Sequence, residues 1–391
     1  MWCVVSSEFR TITLTTEFLS ESVGCGDFDG DGFPDVVAGP YWYAGPEFRS
    51  RHRIFEAPPF DPHGYSASTQ PCFVYDVNGD GLPDVFYVMR SPGERGNYGF
   101  HGWGEALGWE GVWYENPGAK GGLWHRHTVL SNIANEAIAW GDVNGDGRPE
   151  PIYSGRDGYG YATFDPAAPG DPWSFHRVSE PMRLSLSHGI GAGDITGDGR
   201  LDIVCADGWW ENPGPERLAK PWPWHPFQFA RRPADMLVCD VDGDGRNDIV
   251  TVWDCHRHGL LWWRQIRRDG IVSWERQDIL PPEPAGHTPR ISQMHAVALA
   301  DLNRDGTPGI VTGKRWWAHG PHGDVDADRP PVVYWFEPCR GADGVRFVPH
   351  LVDDDSGVGT QVVVADANGD GLPDVLTSNK KGLYLHLRQR G

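Results

Sequence analysis

The chain of 391 residues carries 54 Asp and Glu against 34 Lys and Arg, a net charge of -20 at neutral pH. That balance speaks against a nucleic-acid partner, and no basic stripe suited to a phosphate backbone is present. No apolar run reaches the length of a helical membrane span, while 51 Gly and 33 Pro fit many short strands and turns.

Met1-Trp2-Cys3-Val4-Val5-Ser6-Ser7-Glu8 lacks the basic start and long apolar core of a secretory signal, so a cytoplasmic location is expected. Phe9 to Thr15 then alternates in the manner of a half-buried strand. From there one motif, D-x-[D/N/T]-x-D-G, recurs at Asp27, Asp76, Asp142, Asp194, Asp240, Asp301 and Asp366, at intervals of 49, 66, 52, 46, 61 and 65 residues. Each copy lies between two short apolar runs, as in Met236-Leu237-Val238-Cys239 before Asp240 and Ile249-Val250-Thr251-Val252 after it. Such runs, bounded by Asp and Gly, are strands joined by a tight loop. A third run is aromatic, as in Gly259-Leu260-Leu261-Trp262-Trp263, and a fourth follows, as in Trp124 to Leu130.

Four strands per repeat, a to d in chain order, predict an all-β, seven-bladed β-propeller in which residues 1–391 form one domain. After Asp366 only 25 residues remain, enough for strands b and c. Strand d of the last blade is expected from Phe9–Thr15, closing the ring and removing exposed sheet edges. Of the seven cysteines, Cys25, Cys72 and Cys239 are placed at or next to the end of strand a, as buried thiols.

Carboxylates at alternate positions of a tight loop converge on one point, which suits an oxygen-seeking cation such as Ca²⁺. The expected ligands at loop positions 1, 3, 5 and 9 are Asp27, Asp29, Asp31 and Asp35; Asp76, Asn78, Asp80 and Asp84; Asp142, Asn144, Asp146 and Glu150; Asp194, Thr196, Asp198 and Asp202; Asp240, Asp242, Asp244 and Asp248; Asp366, Asn368, Asp370 and Asp374. The sixth loop has only Asp301, Asn303 and Asp305, with Gly309 at position 9 and Arg304 inside, and is the weakest site. The flanks are strands and position 12 is Ala38 or Thr251, so these are not EF-hands. Any such ion is read as structural. Asp-rich turns held by their own hydrogen bonds are the competing reading. The loops hold 22 carboxylates, so the acidity is local and the rest of the chain is near +2.

These loops resemble the FG-GAP/VCBS repeats, a family of calcium-loop β-propellers, across nearly the whole chain. A narrower resemblance is to the propeller domain of the aldos-2-ulose dehydratases (1,5-anhydrofructose dehydratases). It rests on a His six residues before a loop, here His188 and His295, and on Gly286-His287-Thr288 leading into Ser292-Gln293-Met294-His295. It implies elimination of water from a keto-sugar, but not a second, isomerising step that needs cupin domains. Ser356 to Gln361 and Asn379 to Gly382 resemble bacterial VCBS proteins, some of them encoded beside sugar enzymes.

Long insertions occur at 90–110, 314–329, 57–70 and 281–294, all b–c or d–a connections on the face opposite the acidic loops. Long loops in a compact fold carry function, so the site is expected there. Six residues before each motif stand Glu21, Gln70, Glu136, His188, Ala234, His295 and Thr360, a largely polar ring at the channel mouth. Catalytic candidates are His188, His295, Glu136, His287, Arg290, Tyr65, His63 and Lys314. Candidates for binding substrate are Arg90, His101, Arg156, His256, His258, Trp316, Gln70 and Glu21. A His near neutral pKa removes a proton alpha to a carbonyl, Tyr protonates a leaving hydroxyl, and Arg or Lys steadies the oxyanion. A divalent metal at His188, His295 and Glu136 is an alternative. The expected function is β-elimination on a keto-sugar or small saccharide. A non-catalytic carbohydrate- or protein-binding propeller and an uronate polysaccharide lyase are the alternatives.

Overall fold

The computed structural model describes residues 8–63, 69–90, 109–133, 137–155, 157–180, 189–284, 286 and 288–390. The chain is all-β: among the described residues the only helices are two three-residue 3-10 turns, Gly118–Lys120 and Pro215–Arg217. No helix there is long and apolar enough to cross a membrane.

Each acidic loop is followed by a strand that turns back on the one before it. The repeat from Asp27 comprises Gly24–Gly26, Asp35–Ala38, Tyr41–Tyr43 and Arg51–Arg53, and the next comprises Thr69–Tyr75, Asp84–Arg90, Trp109–Glu115 and His125–Ile133. Then come Ala139–Gly141, Glu150–Gly155, Gly158–Thr163 and Ser174–Arg177, followed by Ile190–Gly193, Asp202–Cys205, Gly208–Trp210 and Trp224–Pro226. Met236–Cys239, Asp248–Val252, Leu260–Arg268 and Ile271–Leu280 precede Val297–Ala300, Gly309–Gly313, Val333–Gly341 and Gly344–Asp353. The last repeat contributes Val362–Ala365, Asp374–Asn379 and Gly382–Arg388, and its fourth strand is Phe9–Thr15, which pairs antiparallel with Gly382–Arg388 from Phe9↔Arg388 to Thr15↔Leu383. Five sheets have four strands, and the second and third repeats share an eight-stranded sheet through the single pair Gly155↔Ile133.

The core lies between sheets. Side chains alternate across a strand, so each repeat buries one row against the repeat before and one against the repeat after. Trp262 joins Val250 and Phe336, whereas its neighbour Trp263 joins Trp209 and Ile249 on the other face. The first repeat meets the last in the same way, with Val36 and Tyr41 against Leu376 and Leu385. Full burial of such aliphatic side chains contributes about 1.5–3 kcal/mol each, so these interfaces carry most of the stabilisation.

No disulfide joins the described cysteines. Cys239 ends its strand as expected, but Cys72 sits three residues before the end of Thr69–Tyr75, because the apolar run Cys72-Phe73-Val74-Tyr75 continues up to Asp76.

Candidate functional site

The b–c connections of the fifth and sixth repeats meet over the start of strand a of the sixth. Gln293 organises the junction. Its N–H donates to Arg257 O (2.9 Å), its side-chain amide donates to Val325 O (3.0 Å), and its side-chain oxygen accepts from Ala318 N (3.1 Å). Its carbonyl accepts from Arg315 N and His295 Nδ1. One residue thereby ties three loop segments together, and it does so at φ 56°, a backbone region unfavourable for a side-chain-bearing residue.

His295 is 4 % exposed and its Nδ1 lies 3.1 Å from Gln293 O. A carbonyl only accepts, so Nδ1 carries the proton and Nε2 is the basic nitrogen. The His256 ring stands edge-on to it, centroids 4.9 Å apart, and the His319 ring lies 4.5 Å from His256 on the other side. Asp324 completes the row: its carboxylate is 3.3 Å from His256 Nδ1 and 3.0 Å from His319 Nδ1, and it accepts the His319 N–H. Burial pushes Asp324 up, but the His256 and His319 rings outweigh it and hold the carboxyl well below the usual range. Cys255 adds a thiol beside His256 and His295.

A second carboxylate in the same insertion, Asp326, receives His258 Nε2 at 2.9 Å and a two-pronged contact from Arg290 at 2.8 Å on each oxygen. Lys314 is almost wholly buried and donates to Arg315 O at 3.2 Å. Burial pushes its ammonium down to about 8, with Asp326, Asp328 and Asp324 pulling the other way. Glu21, expected to meet substrate, is fully buried with its two oxygens on Arg315 at 2.7 and 2.5 Å. His63 is exposed, its ring 5.4 Å from Trp317, which stacks on Trp316 at 3.9 Å.

His295, His256, His258, Arg290, Lys314 and Glu21 thus fall in or beside one junction. Tyr65, His101, Glu136, Arg156, His188 and His287 lie outside the described residues, as do the side chains of Gln70 and Arg90. Sequence reasoning missed His319, Asp324, Asp326 and the role of Gln293. The signal for the first three was present, since His319 to Asp328 packs two His and three Asp into ten residues of an insertion. A cavity of about 750 Å³ lies elsewhere, between Trp42, Arg53 and Trp124, away from the His cluster.

The acidic loops tie themselves down. Asp27 Oδ1 accepts the N–H of Gly30 and Asp31, and Oδ2 that of Gly32, whose φ of 89° suits only glycine. Position 9, expected as a ligand, also accepts backbone donors: Asp84 accepts Val77 N and Asn116 N, and Asp202 accepts Ile195 N and Asn212 N. Burial, opposed by these donors, raises Asp84, Glu150 and Asp202 to about 7 and Asp35, Asp248 and Asp374 to about 6. Three loops still bring carboxylate oxygens within 4.8 Å of one another: Asp27, Asp29 and Asp31; Asp142, Asp146 and Glu150; Asp240, Asp242 and Asp248. The sixth departs for a visible reason. Trp335 is the counterpart of Trp262, whose indole donates to Asp248. Lacking that carboxylate, the Trp335 indole fills the space, and a Cβ on Gly309 would stand 2.2 Å from its Nε1.

The model of the FG-GAP-like repeat matches residues 76–152, 194–251 and 240–312, together half of the chain. No curated protein matches the chain. Among solved structures, the rhamnogalacturonan lyase YesW aligns at 13% identity over 98% of this chain and 76% of its own, with a TM-score of 0.47. A lectin of Agrocybe aegerita that recognises non-reducing terminal N-acetylglucosamine aligns at 15% identity over 96% of this chain and 81% of its own, with a TM-score of 0.33.

Proposed function

The chain belongs to the FG-GAP-like repeat family, and on that premise we propose that its seven repeats form a closed seven-bladed β-propeller acting as a carbohydrate lyase at the Gln293 junction. The packing of the first repeat on the last supports the closed ring. Ca²⁺ in the acidic loops is part of the same reading. Asp27, Asp29 and Asp31, with the matching residues of the third and fifth loops, would hold it and supply rigidity rather than chemistry.

One observation carries the lyase: His295 has its Nδ1 proton fixed by Gln293 O, leaving Nε2 basic inside a buried, cation-bearing junction. In this reading Nε2 takes the proton alpha to the keto group of a small saccharide. The resulting enolate oxygen is met by Lys314, whose burial strengthens its electrostatic effect. The electron pair then expels the β-hydroxyl, which leaves as water with a proton from the site; Tyr65 is the expected donor. The product is an enone.

The test is turnover of 1,5-anhydrofructose or a 3-keto-glucoside, followed by enone absorbance. His295→Ala is expected to lose about 10²- to 10⁴-fold with its fold intact by circular dichroism. His127→Ala, whose ring stacks on Trp113 and contacts Glu115 far from the junction, should retain activity. Wild-type protein that binds keto-sugars in calorimetry without producing an enone would make the chain a binding module.

A further inference from the structure

We propose that His256, His319 and Asp324 form a transition-metal site of the Zn²⁺ class, distinct from the oxygen-only acidic loops. The three offer two imidazole nitrogens and a carboxylate within 4.8 Å of one another. His256 Nδ1 to Asp324 and His319 Nδ1 to Asp324 measure 3.3 and 3.0 Å. Ligands bound to Zn²⁺ at 2.0–2.1 Å in a tetrahedron are about 3.3 Å apart, so two edges are nearly formed and the third closes by rotating one ring. Two His with one carboxylate leave positions open for water or substrate, as in catalytic rather than structural sites.

The surroundings suit such an ion. His256 is held by its backbone N–H on Asp254, whose buried carboxylate is anchored by Arg232 at 2.7 Å. His319 is likewise held through its own N–H on Asp324. These bonds fix the backbone from which each ring projects. Two imidazole nitrogens among the three donors favour a borderline-soft ion over Ca²⁺ or Mg²⁺. On binding, a proton carried by His256 Nδ1 or His319 Nδ1 towards Asp324 moves to that ring's Nε2 or to solvent, and no redox step is involved. The proposal does not depend on the lyase reading.

The experiment uses the full chain with excess Ca²⁺ present, so that the acidic loops do not compete. Zn²⁺ titration by calorimetry should give one site per chain with submicromolar Kd. Co²⁺ substitution should give the intense visible bands of a low-symmetry N/O site. His319→Ala and Asp324→Asn should each weaken Zn²⁺ at least 100-fold, whereas Asp27→Asn should leave it unchanged. Unchanged Zn²⁺ affinity in both junction variants overturns the proposal. So do wild-type Co²⁺ spectra showing only the weak bands of an octahedral oxygen shell, a measurement independent of whether the variants fold. Zn²⁺ binding with no enone from any keto-sugar leaves this site standing and removes the lyase.

Discussion

Replacing Arg315 by Met isolates one buried contact across the fold. Glu21 and Arg315 are 294 positions apart, at 0% and 2% exposure, with Nε and Nη2 each on one carboxylate oxygen. Removing the guanidinium leaves a carboxylate inside the protein without its cation, which costs about 3–5 kcal/mol. With an unfolding entropy of about 2.1 cal/mol/K per residue, that corresponds to a fall in Tm of roughly 4–6 °C. The double variant Glu21→Gln/Arg315→Met removes both charges and should recover most of the loss, because the pair itself contributes little beyond mutual compensation. Guanidinium denaturation of wild type, both single variants and the double variant gives the coupling energy directly. A loss under about 1 kcal/mol in Arg315→Met, or a double variant less stable than either single one, would refute the argument.

Gln293→Ala removes one donor and one acceptor that hold Val325 O and Ala318 N, and should cost about 2–4 kcal/mol from the buried groups left unpaired; an unaltered denaturation midpoint would contradict the hub role. His386 is buried, and burial pushes its imidazole down to about 4 while Asp353 pulls it back. Its folded pKa is below the unfolded value near 6.5, so the unfolded chain gains a proton first and stability falls as pH drops from about 6.5 to 4, by up to about 3 kcal/mol. His386→Gln should flatten that slope in urea titrations, and an identical slope would refute the assignment. Removing cations with EGTA should lower Tm by several degrees, reversibly with Ca²⁺, since empty loops keep their carboxylates in mutual repulsion; no shift would favour loops that are turns only.

The strands were legible because the apolar–acidic–apolar order recurs around every acidic loop. Even Phe9–Thr15 was placed with the last sheet, from its alternation and the shortfall of residues after Asp366. The junction was only partly legible. His256, His258 and His295 stand in or beside strands of known position, whereas His319, Asp324 and Asp326 belong to an insertion with no period of its own. Glu21 was read as ligand-facing from its place six residues before the first loop, and nothing local reveals its partner Arg315 in another repeat. At position 9 spacing counts carboxylates but does not show the backbone N–H groups, such as those of Asn116 and Asn212, that also donate to them.

The pairing of Phe9–Thr15 with Gly382–Arg388 sets an order of events during synthesis. Thr11 meets His386 across 375 positions, and translation proceeds at about 5–20 residues per second. The N-terminal strand therefore leaves the ribosome roughly 20–75 s before its partner exists. Through that interval Ile12 and Leu14 have no sheet to join, and the first repeat lacks the Leu376 and Leu385 face it packs against. A strand made before all seven acidic loops is secured only after them, so chains interrupted before residue 388 are the ones most exposed to strand-edge aggregation.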